Sequence, residues 1–189
     1  MLEKILELDK NIFIFLNGLG AAKFDPFWEF ITKQVRWTPF FLLILYFVYT
    51  KLNRKKELIY ILVSISIIVL FTDQFTNVIK FYFQRLRPCS EPELSGIIRI
   101  VKSSDTFSFF SGHASNSMAT MTFIFLLIRK YYKYAFLVFI FPLLFAYSRI
   151  YLGLHYPLDI LTGYTVGGLF GFLFYKLYLK MIKNSEFTI

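Results

Sequence analysis

Both histidines and three basic residues of this 189-residue chain occur where long apolar stretches begin or end. The basic residues are Lys80, Arg87 and Arg149. Three cations around one point suit a multiply charged anion, and phosphate fits best because arginine makes forked hydrogen bonds to its oxygens. We therefore expect these three side chains to form a phosphate-binding site.

The two histidines supply groups that can break a phosphate ester. His155 is four residues before Asp159, so one helical turn would place the carboxylate where it fixes the tautomer of a nucleophilic imidazole. His113 can protonate the leaving oxygen, and it follows Ser111 and Gly112 at a predicted helix N-terminus, which attracts anions. Because the sequence has no carboxylate cluster for magnesium, we expect neither a metal ion nor another cofactor.

Each of these residues also has a purely structural explanation. Lys80, Arg87 and Arg149 can be residues that extend their charged ends from helix termini towards water. Asp159 can simply cap a helix whose first turn contains Pro157. Their joint occurrence beside both histidines favours the functional interpretation.

The composition indicates a membrane protein. Hydrophobic residues make up 57% of the chain and charged residues 17%, whereas soluble domains contain about 25% charged residues. With the single cysteine Cys89, neither an intrachain disulfide nor a Cys/His zinc cluster can form. The net charge of +9 is compatible with nucleic acid or with an anionic membrane surface, so the location of the charges has to decide.

Five apolar blocks predict an all-α integral membrane helical bundle, since a membrane-crossing helix needs about 20 mostly apolar residues. The blocks are residues 37–50, 58–80, 114–128, 134–148 and 158–179. No soluble domain lies between them, and the sequence has no apparent internal repeat. We therefore predict one domain with a transmembrane part, residues 37–183, and an N-terminal interfacial part, residues 1–36.

Basic residues between alternate blocks predict the orientation. They are Lys51, Arg54, Lys55, Lys56, Arg129, Lys130, Lys133, Lys176, Lys180 and Lys183. The positive-inside rule assigns these ends to the cytoplasm, so residues 81–112 and 149–157 would face outward. We therefore expect a multi-pass protein of the plasma or inner membrane whose site faces the periplasm or exterior. Topology thus explains the basic charge, and no nucleic-acid partner is needed.

The pattern of residues 1–36 predicts two amphipathic helices that lie on the outward-facing surface of the membrane. Leu2, Ile5 and Ile12 fall near helical spacing, and the second helix would start with Asp25 as N-cap and Pro26 as its first residue. In the alternative interpretation, residues 11–19 dip into the membrane. The acidic start and short apolar run argue against a cleavable signal peptide.

Polar residues recur at helical spacing at the end of one apolar block and across the start of the next. They are Asp73, Asn77 and Lys80 in one block, and His113, Asn116, Ser117 and Thr120 in the next. Residues three and four apart share a helical face. Since ionisable groups at membrane depth usually face a bundle interior or a water-filled cavity, we expect both faces to point inward.

Three motifs make the chain resemble the type 2 phosphatidic acid phosphatase (PAP2) family, which is related to the vanadium haloperoxidases. The motifs are Lys80 with Arg87-Pro88, then Phe110-Ser111-Gly112-His113, and finally Ser148-Arg149 with His155 and Asp159. The resemblance covers roughly residues 60–175. Phe110 stands where the family motif has proline, and many members have six spans, one more than predicted for this chain.

The resemblance implies a mechanism that adds to the interpretation from the residues. His155 would form a phosphohistidine, oriented by Asp159, and His113 would be the general acid before water releases phosphate. The groups that would bind the phosphoryl oxygens are Lys80, Arg87, Ser111, Gly112 and Arg149.

The leading hypothesis is an integral-membrane lipid phosphatase, with a lipid phosphate and the bilayer as partners. Family analogy favours undecaprenyl diphosphate as substrate, with lipid A (as a 1-phosphatase), phosphatidylglycerol phosphate and phosphatidate as alternatives. A phosphotransferase and a non-enzymatic lipid-phosphate scaffold also remain open. Gly163, Gly167 and Gly171 permit close helix packing within the bundle or between protomers, so the oligomeric state stays open.

Overall fold

All regular secondary structure is helical in the computed structural model, which describes residues 1–52 and 55–186. Seven α-helices are joined by loops and short 3₁₀ turns. They are α1 (Leu2–Gly18), α2 (Asp25–Ile31), α3 (Thr38–Tyr49), α4 (Lys55–Phe83), α5 (Gly112–Ile128), α6 (Ile140–Tyr151) and α7 (Pro157–Glu186). The prediction of an all-α fold is confirmed.

Helices α3 to α7 coincide with the five predicted blocks. Helices α4 and α7 contain 29 and 30 residues, so at about 1.5 Å per residue each exceeds the roughly 30 Å of a bilayer core. Within the described residues, these two alone are long and apolar enough to span a membrane by length and hydropathy. Helices α3, α5 and α6 are shorter, and a 3₁₀ turn, Ala135–Phe139, lengthens α6.

The outer surface of the bundle is apolar. On α4, the side chains of Ile59, Leu70 and Val78 are 63%, 65% and 66% exposed. In water such a contiguous surface would favour association, whereas in a bilayer it faces lipid tails. The surface therefore fits a helical bundle embedded in a membrane.

Three glycines bring α7 against the backbone of α5. A Cβ atom on Gly163 would lie 2.7 Å from the carbonyl oxygen of Ser111, and one on Gly167 would lie 2.3 Å from that of Ser115. At Gly171 the corresponding distance, to the carbonyl oxygen of Ala119, would be 2.4 Å. The glycine series therefore packs helices within the bundle, which was one of the two alternatives left open by the sequence.

The N-terminal segment forms two helices that pack on α6 and α7. Phe13 of α1 is fully buried, with its ring 5.3 Å from that of Tyr156. Asn17 of α1 donates hydrogen bonds to the carbonyl oxygens of Ile150 and Tyr151, both at 3.1 Å. The apolar residue Leu2 remains exposed. Thus α1 turns a mixed polar and aromatic face towards the protein and apolar side chains outward.

Asp25 is not the N-cap of α2, so that prediction was wrong. Phe24 occupies the cap position, and Asp25 is the first residue of the helix. The Asp25 carboxylate instead accepts hydrogen bonds from Arg99, at 2.9 Å, and from the hydroxyl of Tyr151, at 2.6 Å. These charged and hydrogen-bonding partners, distant in sequence, draw the side chain away from its own helix end.

The basic boundaries meet at one end of the bundle. Lys51, which follows α3, and Lys130, which follows α5, line a cavity of about 200 Å³ together with Glu57 and Leu179. Arg54 lies outside the described residues.

Candidate active site

Six of the eight predicted site residues line a single cavity of about 490 Å³, which lies among helices α3 to α6 and the loops at their ends. The six are Lys80, Arg87, Gly112, His113, Arg149 and His155. The other two, Ser111 and Asp159, are fully buried beside it. Residues separated by 75 positions in sequence therefore meet at one point, with both imidazoles facing the same space.

Arg87 is fixed by the two loops that precede α5 and α7. Its Nε donates to the carbonyl oxygen of Thr106 at 2.7 Å, and its Nη2 donates to the Thr106 hydroxyl at 2.8 Å. Its Nη1 lies 3.0 Å from the carbonyl oxygen of Leu154 and 3.1 Å from Nε2 of His155. The guanidinium is thus held against the imidazole by backbone and hydroxyl acceptors.

Arg149 is also buried but keeps an unused donor. Its Nη1 donates to the hydroxyl of Thr32 at 2.8 Å, while its buried Nε has no acceptor among the described residues. A buried donor without a partner is costly, so an anion in the cavity would compensate it. Within the described part of the chain, no carboxylate forms an ion pair with Lys80, Arg87 or Arg149.

His155 lies between Arg87 and Asp159, and its exposed fraction is 1%. Because arginine only donates, the contact of Nε2 with Arg87 makes Nε2 the acceptor and leaves the ring proton on Nδ1. Nδ1 lies 3.4 Å from Oδ2 of Asp159, a long hydrogen bond. Burial, reinforced by Arg87, lowers the pKa of His155 well below its usual value, so the ring is neutral near pH 7.

Asp159 serves its helix and the imidazole at the same time. Its Oδ2 accepts a hydrogen bond from the backbone N–H of Tyr156 at 2.9 Å, which caps the start of α7, and another from the hydroxyl of Ser108. The same oxygen faces Nδ1 of His155. The structural and the functional interpretations of Asp159 are therefore both compatible with its position.

The beginning of α5 carries the second histidine into the cavity. Ser111 is the N-cap, and its hydroxyl accepts a long hydrogen bond, 3.4 Å, from the backbone N–H of Ala114. The N–H of Ser111 donates to the carbonyl oxygen of Asp159 at 3.0 Å, which ties α5 to α7. The His113 ring stacks on Phe145 of α6, with centroids 4.6 Å apart. Phe110, where the family motif has proline, is buried.

Arg85 and Asp9, which were not predicted as site residues, hold Asp159 in place on the side away from the cavity. Nη1 of Arg85 contacts Oδ1 of Asp159 at 2.7 Å, and Nη2 contacts Oδ2 of Asp9 at 2.6 Å. The other oxygen of Asp9 accepts the N–H of Leu158 at 2.7 Å. The four-residue spacing of Asp9, Phe13 and Asn17 on α1 is the signal that could have indicated this inward face.

Two solved structures have this fold. The crystal structure of a transmembrane PAP2-type phosphatidylglycerolphosphate phosphatase from Bacillus subtilis matches 94% of this chain and 87% of its own, with a TM-score of 0.69 and 21% identity. The crystal structure of Aquifex aeolicus LpxE matches 89% of this chain and 95% of its own, with a TM-score of 0.62 and 22% identity. The fold is therefore that of membrane PAP2 phosphatases.

The sequence comparisons establish the family. Residues 56–183 match the PAP2 superfamily. The lipid A 4'-phosphatase of Bacteroides thetaiotaomicron is 34% identical over 191 residues, covering 98% of this chain and 84% of that protein. That of Porphyromonas gingivalis is 31% identical over 181 residues, covering 94% and 76%. The chain belongs to the PAP2 superfamily and is a membrane lipid phosphatase, as the resemblance of its motifs implied.

Proposed function

We propose that the protein removes the 4'-phosphate of a lipid A-type glycolipid through a phosphohistidine on His155. The observation that carries the proposal is the common cavity, which is lined by both histidines and by three cations that form no ion pair with a carboxylate within the described residues. Family analogy from the motifs alone favoured undecaprenyl diphosphate. Two lipid A 4'-phosphatases that align with 98% and 94% of the chain support a lipid A phosphate instead.

In the first step, the Nε2 lone pair of His155 attacks phosphorus and a P–N bond forms. The bond from phosphorus to the sugar oxygen breaks, and His113, which enters this step as the imidazolium, transfers a proton to that oxygen and becomes neutral. The Nδ1–H group of His155 donates a hydrogen bond to Asp159 and keeps its proton. The carboxylate thereby stabilises the positive charge that develops on the ring. The products are the dephosphorylated lipid and the phosphohistidine.

In the second step, water attacks the phosphohistidine. His113, neutral after the first step, takes a proton from the water, and the P–N bond breaks. Inorganic phosphate leaves, and both imidazoles return to their starting states. Protons and electrons balance over the two steps.

The cations stabilise the charge on the phosphoryl oxygens in both steps. Nη1 of Arg87 contacts Nε2 of His155 at 3.1 Å in the free protein, so a bound phosphoryl oxygen would take over this donor and free the nucleophile. Nε of Arg149 would find its missing acceptor in the same anion. Lys80, at the end of α4, would supply a third positive charge, and the N-terminus of α5 at Gly112 would supply backbone donors.

The site is assigned to the outer face of the cytoplasmic or inner membrane. The loops that carry Arg87 and His155 lie at the ends of α4 and α6 opposite the basic boundaries near Lys51 and Lys130. Under the positive-inside rule, this orientation exposes the cavity to the periplasm or exterior.

The test is a substrate panel with purified protein in detergent: lipid A, undecaprenyl diphosphate, phosphatidylglycerol phosphate and phosphatidate. We expect the largest kcat/KM for lipid A, with free phosphate released and mass spectrometry locating the loss at the 4'-position. Preference for another lipid would overturn the assigned substrate. Transfer of the phosphoryl group to another acceptor, without release of free phosphate, would indicate a phosphotransferase. Binding without turnover would contradict the assignment as an enzyme.

Metal independence is tested in the same assay. In the described residues, no three His, Cys, Asp or Glu side chains group closely enough to hold a metal ion. We expect the rate to persist in excess EDTA, since the proposed mechanism uses protein cations to stabilise charge. A rate that disappears with EDTA and returns with Mg²⁺ would contradict this mechanism.

A further inference from the structure

A polar zone continues inward from the phosphate site along the cavity. Asp73 and Asn77 of α4 line it, together with Asn116 and Thr120 of α5. Asp73 precedes Lys80 by seven residues, which places it about 10 Å deeper along the helix. Asp73 is therefore too far from Lys80 for one phosphoryl group to contact both side chains.

The polar atoms of this zone are incompletely paired. Within the described residues, the one hydrogen bond recorded for the Asp73 carboxylate is a long contact of 3.4 Å from Nδ2 of Asn77. Oδ1 of Asn116 is buried and accepts no hydrogen bond there. The Asp73 side chain is exposed, whereas the Asn116 oxygen is buried. Both groups are acceptors, and acceptors at membrane depth are costly unless a donor reaches them. A ligand that presents O–H or N–H groups would supply such donors.

Beyond this zone the cavity becomes apolar. Its deeper lining includes Ile61, Ile65 and Val69 of α4 and Phe141 of α6. From the outer end inward, the cavity thus offers cations, then acceptors, and then hydrocarbon. A matching lipid has a phosphate, a head group with hydrogen-bond donors, and apolar chains in that order.

This order distinguishes classes of lipid phosphate. Phosphatidate has only acceptors, its ester oxygens, between the phosphate and its chains. A prenyl diphosphate would place its second phosphate towards Asp73, where two negative charges repel each other. A phosphorylated amino sugar with amide-linked chains presents hydroxyl and amide N–H donors at this depth.

We propose that Asp73 determines the specificity of the enzyme, with Asn77 and Asn116 as auxiliary contacts. Its carboxylate accepts hydrogen bonds from the hydroxyl or amide N–H groups of the amino sugar that bears the phosphate. The same charge disfavours a diphosphate. This inference rests on the proposed function and deepens it.

The test measures kcat/KM of the wild type, Asp73→Ala and Asp73→Asn on three substrates. They are an N-acylated glucosamine 4-phosphate lipid, a phosphatidate of matched chain length and a short prenyl diphosphate. Gln74→Ala is the matched control, because Gln74 is the next residue of α4, is exposed and does not line the cavity. We expect this control to retain the wild-type preferences.

For Asp73→Ala, we expect kcat/KM to fall roughly 10- to 100-fold for the amino-sugar lipid, as for the loss of a charged hydrogen bond. The value for phosphatidate should change by less than about twofold, and that for the diphosphate should rise. Asp73→Asn keeps an acceptor without charge, so it should lose less on the amino sugar and still gain on the diphosphate. It also tests the proposal if the alanine variant does not fold.

Two results would overturn the inference while leaving the proposed function intact. If all three substrates lose activity equally, Asp73 acts through the charge of Lys80 rather than through the head group. If none changes, the carboxylate does not contact the substrate. A wild type that releases no phosphate from the amino-sugar lipid would instead overturn the proposed function, and this inference with it.

Discussion

Asp9 and Asp159 are held by the same guanidinium. Nη2 of Arg85 lies 2.6 Å from Oδ2 of Asp9, and Nη1 lies 2.7 Å from Oδ1 of Asp159. The guanidinium also lies over the ring of Tyr156, 3.9 Å from its centroid. The N-terminal helix therefore helps to set the position of the carboxylate that faces His155, although α1 itself does not line the cavity.

Substitution of Asp9 should slow turnover without removing substrate binding. In Asp9→Ala, Arg85 loses one of its two carboxylates and the N–H of Leu158 loses its acceptor, so Asp159 and His155 shift. We expect kcat to fall roughly 10- to 100-fold, the effect of a small misplacement of a catalytic group, while KM changes little. Glu7→Gln, at an exposed site on α1, is the control. A change confined to KM would show that α1 does not position the nucleophile.

His155→Ala should abolish turnover. Without Nε2 no P–N bond can form, so we expect a loss of at least about a thousandfold in kcat. The variant should still elute as a folded species in detergent and should still bind vanadate, because the three cations remain. Labelling with a radiolabelled phosphate substrate, quenched in alkaline detergent, should yield an acid-labile, base-stable phosphoenzyme in the wild type and none in this variant. Near-normal rates for His155→Ala would remove the nucleophile assignment.

His113 should matter most for poor leaving groups. General-acid catalysis contributes roughly 10²- to 10⁴-fold to a rate. The kcat of His113→Ala should therefore fall by about that factor with a lipid whose leaving group is the hydroxyl of a sugar. With p-nitrophenyl phosphate, whose leaving group needs no proton, formation of the phosphoenzyme should be nearly normal. Rapid-quench measurement of that first step provides the comparison. Equal losses on the two substrates would argue for a purely structural role of the His113–Phe145 stack.

The pH dependence of His155 follows from its burial. Because burial lowers the pKa of this imidazole, its neutral, nucleophilic form persists as the pH falls below 6.5. In His113→Ala, His155 is the sole remaining histidine, so its reaction with diethyl pyrocarbonate can be followed directly. We expect the midpoint of the rate profile below pH 6.5, and the double variant His113→Ala/His155→Ala, which has no histidine, is the unreactive control. A midpoint at or above 6.5 would mean that burial does not lower the pKa of the ring, because the ring contacts solvent or because the Asp159 carboxylate stabilises its protonated form.

Hydropathy predicted the helices because each apolar segment is defined by its own residues. The block 114–128 became α5, Gly112–Ile128, and the block 158–179 lies within α7, Pro157–Glu186. Lys80 and His155, which line the common cavity, likewise lie in short motifs at helix ends. For such features, the information is local in sequence.

Contacts that connect distant segments could not be read in this way. Arg85 lies 76 residues from Asp9 and 74 residues from Asp159, and each pairing depends on how the helices pack. The same is true of Thr32, which binds Arg149 across 117 residues. Asp25 illustrates the resulting error, since its local sequence predicts a cap, whereas Arg99 and Tyr151 provide stronger partners.

The close approach of α7 to α5 has a consequence for how this enzyme can diversify. At Gly163 and Gly167 the two main chains touch without intervening side chains, and these helices begin beside His155 and at His113. The spacing of the two imidazoles is therefore set by the polypeptide backbone. Residues such as Leu70 and Val78 on the lipid-facing surface can therefore be substituted to suit a different membrane while the spacing of the two imidazoles is kept.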